Sequence, residues 1–414
     1  MEVGEAPDGR RVVVTGIGLI NPLGIGREPF WGALTAGRVA IAPIERFDSD
    51  GLPVRVAAEV RDFRAADLVP RRLIAKSDRF AHHAMAAAEL AFQDADLEMT
   101  SLDPFRVGIS FGNNSGGWDI CERGFEEYYR QGPSVVNAWQ ATAWFPTAPQ
   151  GFVSIRYGIR GFSKSFAADR ASGACGVLFG HRSIRWGHND VVLTGGAEAP
   201  VTRLGMASHV TTGELSLCPD PARAYLPFDA ARSGLVLGEG STVLVLESLE
   251  HARGRGARIY AEVLAVEQRT GDPERPDAME SALRAALRTS GTRPEDVDVV
   301  FAEGCGTPAG DRSEAQALRR VFGNEAPCPP VTAPRAAYGH LFGASFATEL
   351  ACGLLAMRCG VIPGTAGTTS IAPECEIPLV REPAPAEVRR VVVNARSREG
   401  TNVALVAARW PNAI

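Results

Sequence analysis

The chain is 414 residues long, with 45% hydrophobic residues, 22% charged residues and a formal net charge of -5. Such a length exceeds one average domain and allows a large core, and the composition is that of an ordinary globular protein. The small negative charge supplies no attraction toward nucleic acid or an anionic membrane, so neither is expected as a partner.

The opening stretch MEVGEAPDGRR begins acidic and has no apolar segment, so no secretory signal peptide is expected. Residues 11–17 form a short β-branched run closed by Gly18 and read as a strand. Residues 31–37 and 77–95 read as helices, the second Ala-rich with Asp78 near its start. Residues 107–111, 190–194 and 242–246 are short apolar runs of the kind that form buried strands.

After the charged turn at 250–256 the pattern begins again. Strands are expected at 259–266, 297–302, 390–394 and 402–407, and helices at 277–289, 313–321 and 340–357. Strands alternating with helices twice over predict two α/β halves with parallel-rich sheets, residues 1–255 and 256–414. No run reaches about 18 apolar residues, so no membrane span is expected. The cysteines at 121, 175, 218, 305, 328, 352, 359 and 375 show no C-x-x-C spacing. They read as reduced thiols of a cytoplasmic protein.

Three segments carry the chemistry. They are Ala168-Asp169-Arg170-Ala171-Ser172-Gly173, then Glu303-Gly304-Cys305-Gly306-Thr307-Pro308-Ala309-Gly310-Asp311, then Arg335-Ala336-Ala337-Tyr338-Gly339-His340. In order and spacing they resemble the catalytic segments of β-ketoacyl synthases: a Thr-Ala-Cys nucleophile, His-Gly-Thr-Gly-Thr-Pro-x-Gly-Asp, and Lys-Ser-x-x-Gly-His. The likeness runs from Val12-Val-Val-Thr-Gly-Ile-Gly through Gly238-Glu-Gly to Gly400-Thr-Asn402, nearly the whole chain. It implies an α/β, thiolase-like duplicated fold of five layers, α-β-α-β-α.

Arg170 stands at the cysteine position and Glu303 at the first histidine position, while His340 is retained. Arginine stays protonated and offers no lone pair, so residue 170 cannot hold a thioester. A glutamate at 303 would repel the oxyanion that the family's histidines stabilise. The family's Gly-Phe-Gly-Gly-Thr-Asn loop has become Arg396-Ser397-Arg398-Glu399-Gly400-Thr401-Asn402. In the family these two positions are close neighbours, so the resemblance implies a buried or half-buried Arg170–Glu303 ion pair, with Asp169 and Glu399 as rival partners for Arg170.

These departures resemble the chain length factor, the ketosynthase beta subunit of type II polyketide synthases. That resemblance implies no catalytic residue and no cofactor or metal. It implies a heterodimer with an active ketosynthase alpha subunit, and an acyl carrier protein bringing the substrate on its phosphopantetheine arm. A tunnel for the growing polyketide would be lined by Trp118, Cys121, Phe125 and Thr142. Chain length factors of aromatic pathways usually carry glutamine where Arg170 stands, which leaves a reducing or polyene-type pathway open. Two other readings remain: a malonyl-carrier-protein decarboxylase, and a condensing enzyme whose nucleophile has moved to Ser172 or Cys175.

Overall fold

The computed structural model of the chain describes residues 9–323 and 328–411. The first eight residues of the opening stretch read as lacking a signal peptide lie outside the described residues. Among the described residues, ten of the eleven strands of the main sheet divide into two sets of the same topology, the short strand Gly24–Ile25 pairing beside the first set. The first holds β1 (Val12–Asn21), β2 (Val107–Gly112), β3 (Ser163–Phe166), β4 (Val191–Glu198) and β5 (Gly240–Ser248). The second holds β6 (Ala261–Thr270), β7 (Val299–Phe301), β8 (Val331–Thr332), β9 (Arg390–Arg396) and β10 (Thr401–Arg409). Their spatial orders are β3-β2-β4-β5-β1 and β8-β7-β9-β10-β6, and the sets join where Val13 of β1 lies opposite Glu262 of β6.

The helices that cover these sheets are α1 (Arg79–Ala95), α2 (Trp118–Gln131), α3 (Ala148–Tyr157), α4 (Ser172–Arg185), α5 (Arg203–Val210), α6 (Asp277–Ser290), α7 (Pro308–Phe322) and α8 (Ser345–Cys359). Side-chain alternation assigns the layers. Val191, Leu193, Val243 and Val245 pack against α1, while Val192, Leu244 and Leu246 on the opposite face pack against α4 and α8. In the second set Val391 and Val393 face the same two helices, and Val392 faces α6 and α7. The result is the five-layer α-β-α-β-α stack that the resemblance implied. α4 and α8 form its middle layer, and from Ser345 to Met357 every residue of α8 is buried. Glycine is needed where α1 crosses β1, because a Cβ on Gly18 would lie 1.8 Å from the Ala87 carbonyl oxygen.

Some sequence expectations change. The sheets are mixed rather than parallel-rich, since β5 and β10 run antiparallel to both of their neighbours. The turn at 397–400 joins β9 to β10 as a hairpin, and hairpins are antiparallel. The helix expected from 340 begins at Ser345, because left-handed Gly339 (φ 76) and Phe342 (φ 43) interrupt it. His340 therefore sits on a loop. The helix expected from 313 begins at Pro308, where the Thr307 hydroxyl accepts the Gly310 N–H. Residue 255, taken as the boundary between halves, follows the short helix Leu249–Gly254 that links β5 to β6. Among the described residues no helix is long and apolar enough to cross a membrane.

Candidate functional site

After β3 the chain turns through Ala168, Asp169 and Arg170 into α4. Asp169 adopts a left-handed φ of 49°, a strained choice for a residue with a Cβ. Hydrogen bonds hold it there. Its carboxylate accepts the Arg398 N–H at 2.7 Å, and its carbonyl accepts the Ser172 hydroxyl at 2.6 Å. The turn delivers residue 170 to the N-terminal end of α4. A thiolate would be stabilised by the helix dipole there, whereas a guanidinium is not.

Arg170 is 4% exposed and balances its charge with acids instead. It donates to Glu214 Oε1 at 2.8 Å, and its Nε lies 3.4 Å from Glu303 Oε1 and 3.7 Å from Asp169 Oδ2. The Arg170–Glu303 pair is thus formed, although the shortest contact belongs to Glu214. Glu399, expected as a rival, faces Arg398 at 3.4 Å on the surface.

Glu303 follows β7 and is aimed by its backbone. Glu314 of α7 accepts the N–H groups of Glu303 and Gly304 at 2.7 and 2.8 Å. The Glu303 carboxylate then meets Arg396 at 3.5 Å and Arg335 at 3.6 Å as well as Arg170. Burial alone would raise its pKa, but the cations, Arg170 foremost, hold it well below the usual carboxylate range. Of the charged stretch at 396–399, Arg396 turns inward and donates to the Gly310 carbonyl at 2.7 Å. Arg335, at the family's lysine position, forks onto Glu349 of α8 at 3.2 and 2.6 Å.

His340 completes the cluster. Its Nδ1 accepts the Phe342 N–H at 3.0 Å, and its Nε2 lies 2.8 Å from Arg335 Nη1 and 3.4 Å from Glu303 Oε1. Burial, reinforced by Arg335, pushes its pKa down to about 4, so it is uncharged at neutral pH. The nearby hydroxyl and thiols are Ser172, Cys175 and Cys305. The Ser172 hydroxyl is committed to the Asp169 carbonyl and the Ala168 N–H. Burial pushes the Cys175 thiol up to about 11, and burial with Glu303 beside it pushes Cys305 up as well.

The residues expected to line a tunnel occupy different settings. Cys121 and Phe125 share a cavity of about 430 Å³ with Tyr128, Tyr129, Gln140 and Trp144. Trp118, one turn earlier on α2, points inward. Its ring meets His209 edge-on at 5.8 Å, His209 meets Phe342 at 5.2 Å, and Phe342 meets His340 at 4.9 Å. Thr142 lies at the exposed surface, its hydroxyl 3.5 Å from the Trp139 carbonyl.

Sequence reasoning missed Glu214, Glu314 and Glu349. Glu314 had a signal, three residues after Asp311 on the same helix. Glu214 and Glu349 arrive from segments without a motif. Among the described residues no group of acidic, histidine or cysteine side chains could hold a metal.

Comparison with known proteins agrees with this geometry. Residues 9–252 match the model of the β-ketoacyl synthase N-terminal domain, and residues 260–369 that of its C-terminal domain. The tetracenomycin polyketide synthase ketoacyl synthase beta subunit of Streptomyces glaucescens is 41% identical, over 96% of this chain and 98% of its own. The actinorhodin polyketide putative beta-ketoacyl synthase 2 of Streptomyces coelicolor is 39% identical over the same shares. Among solved structures, the ishigamide ketosynthase/chain length factor superposes with a TM-score of 0.90 and 32% identity, covering 97% of this chain and 100% of that one. The chain belongs to the β-ketoacyl synthase family, with its relatives among the ketosynthase beta subunits of type II polyketide synthases.

Proposed function

We propose that this chain is the non-catalytic partner of an active ketosynthase alpha subunit, and that it walls the tunnel in which a polyketide grows and so sets its length. The observation that carries the proposal is the buried cluster in which Arg170, Arg335 and Arg396 surround Glu303, while Glu214 and Glu349 supply the remaining negative charge, so that ion pairs fill the reactive positions. Condensation needs a thiolate to carry the acyl chain and donors to hold an oxyanion. Here the thiolate is absent, and an ionised acceptor stands where the oxyanion would form. The same acceptor argues against a decarboxylase, whose enolate oxygen also needs donors.

Partners follow from relatives. One solved relative, 25% identical with a TM-score of 0.86, comes from a structure of a type II acyl-carrier protein in complex with its ketosynthase. In the proposed assembly a carrier protein serves the partner's active site in the cytoplasm, and its phosphopantetheine arm brings the substrate. This chain supplies neither cofactor nor metal. Trp118, Cys121, Phe125 and Thr142 are its tunnel residues.

Co-expression with the cognate ketosynthase and intact-mass analysis after acyl loading test the proposal. A one-to-one complex acylated only on the partner is the expected result. Acylation of this chain, or condensation by it alone, refutes the proposal.

A further inference from the structure

Two buried carboxylates from distant elements anchor the start of α2, one its first turn and the other the loop that leads into it. Asp78, the N-cap of α1, accepts the Phe80 N–H at 3.3 Å and the Ile120 N–H at 2.7 Å, so one side chain closes two helices. Glu198, at the end of β4 and 1% exposed, takes the Ser115 hydroxyl at 2.8 Å and the backbone N–H groups of Asn114 and Ser115. Ser115 Oγ in turn accepts the Trp118 indole N–H at 2.8 Å. An indole only donates, so the serine must accept from it, which leaves its one proton for Glu198.

This leaves Trp118 little freedom. A hydrogen bond fixes its nitrogen, and His209 meets its ring edge-on. The backbone cannot slide to compensate. The Gly117 N–H donates to the Trp144 carbonyl at 3.0 Å, and a Cβ on Gly116 would lie 1.5 Å from that same oxygen. The indole's placement is therefore built by other residues.

We propose that Ser115, oriented by Glu198, is the positioning residue for Trp118, so that product length depends on the Glu198–Ser115–Trp118 relay as well as on indole bulk. The inference rests on the tunnel role of Trp118 proposed above. Ser115→Ala, Ser115→Thr, Trp118→Ala and the Ser115→Ala/Trp118→Ala pair, each complexed with the ketosynthase, separate the two by the masses of released polyketides.

Ser115→Ala should raise the ratio of longer to native products roughly fivefold, the population shift that loss of one neutral hydrogen bond gives. Ser115→Thr should restore the native distribution, and the double variant should match Trp118→Ala alone. If Trp118→Ala lengthens products but Ser115→Ala leaves them native, the relay is overturned and the tunnel stands. If Trp118→Ala itself changes nothing while turnover persists, the tunnel reading falls and the relay with it.

An independent measurement uses the wild-type complex with ¹⁵N-labelled tryptophan, its signal assigned by Trp118→Phe. The relay requires the Trp118 indole proton to exchange about tenfold or more slowly than that of free tryptophan. Exchange at the free rate overturns it, whether or not the serine variants assemble.

Discussion

A guanidinium in place of a thiol turns the pocket's problem from reactivity into charge balance. Glu303 is central to that balance, because Arg170, Arg335 and Arg396 all face it. Removing the anion leaves Arg396 with no carboxylate partner and takes one from Arg170 and from Arg335, so Glu303→Gln should cost about 3–5 kcal/mol in urea unfolding. Arg170→Met should cost less, about 1–2 kcal/mol, because Glu303 keeps two cations and Glu214 reaches solvent. An equal or reversed ranking would show that the cluster is not organised around Glu303. The pH dependence has a definite sign. The folded pKa of Glu303 is depressed, so its contribution is complete above the ordinary carboxylate value near about 4.3 and is lost as pH falls below it. Glu303→Gln should lack that acid limb. A thiol restored by Arg170→Cys would face the Glu303 anion, which raises its pKa. It should remain unacylated by the carrier protein and slow toward iodoacetamide at neutral pH.

At the scale of elements, the β-branched and apolar runs of β1, β2, β4 and β5 were legible because both faces of each strand are buried. The strand Ser163–Phe166 was not, since its polar residues sit on an edge that tertiary pairing alone makes into a strand. The site divides the same way. Residues 170, 303 and 340 could be read from motif spacing, and the ion pair followed from their neighbouring roles. Glu214 and the inward turn of Arg396 depend on how distant loops meet. α4 also hides a titration that sequence does not announce. His181 is buried with Nε2 3.1 Å from the Val263 carbonyl, and burial, helped by Arg185, pushes its pKa down to about 4. Between about pH 6.5 and that value the unfolded chain binds the proton and the folded chain does not, so stability falls with falling pH. His181→Gln keeps an N–H for Val263 and removes the titration. It should flatten this limb by about one proton, up to about 3 kcal/mol across the window, as read from urea unfolding at several pH values.

For the whole molecule the informative surface is aromatic. Phe125 is 51% exposed, Tyr128 49%, Tyr129 79%, Trp144 42% and Phe145 44%, all within one stretch of chain beside the cavity that holds Cys121. A patch of this kind, left bare, favours association, and aromatic residues dominate the energetics of obligate interfaces. Tyr129→Ala should weaken the complex with the ketosynthase by about 2 kcal/mol, roughly thirtyfold in dissociation constant. Thr142→Phe asks a different question of the same face. Thr142 is exposed in the single chain and makes only a weak contact to Trp139, so a larger side chain there meets no packed interior. Its bulk should project into whatever space the assembled partner encloses. If that space is the tunnel, Thr142→Phe leaves assembly intact and shortens the polyketide, the opposite sign to the lengthening expected from Trp118→Ala, where a vacated cavity admits further units at roughly 0.8 kcal/mol per buried methylene. Product masses read beside the elution of the intact complex decide it. Native lengths from both variants in a fully assembled, active complex would confine this face to holding the subunits together.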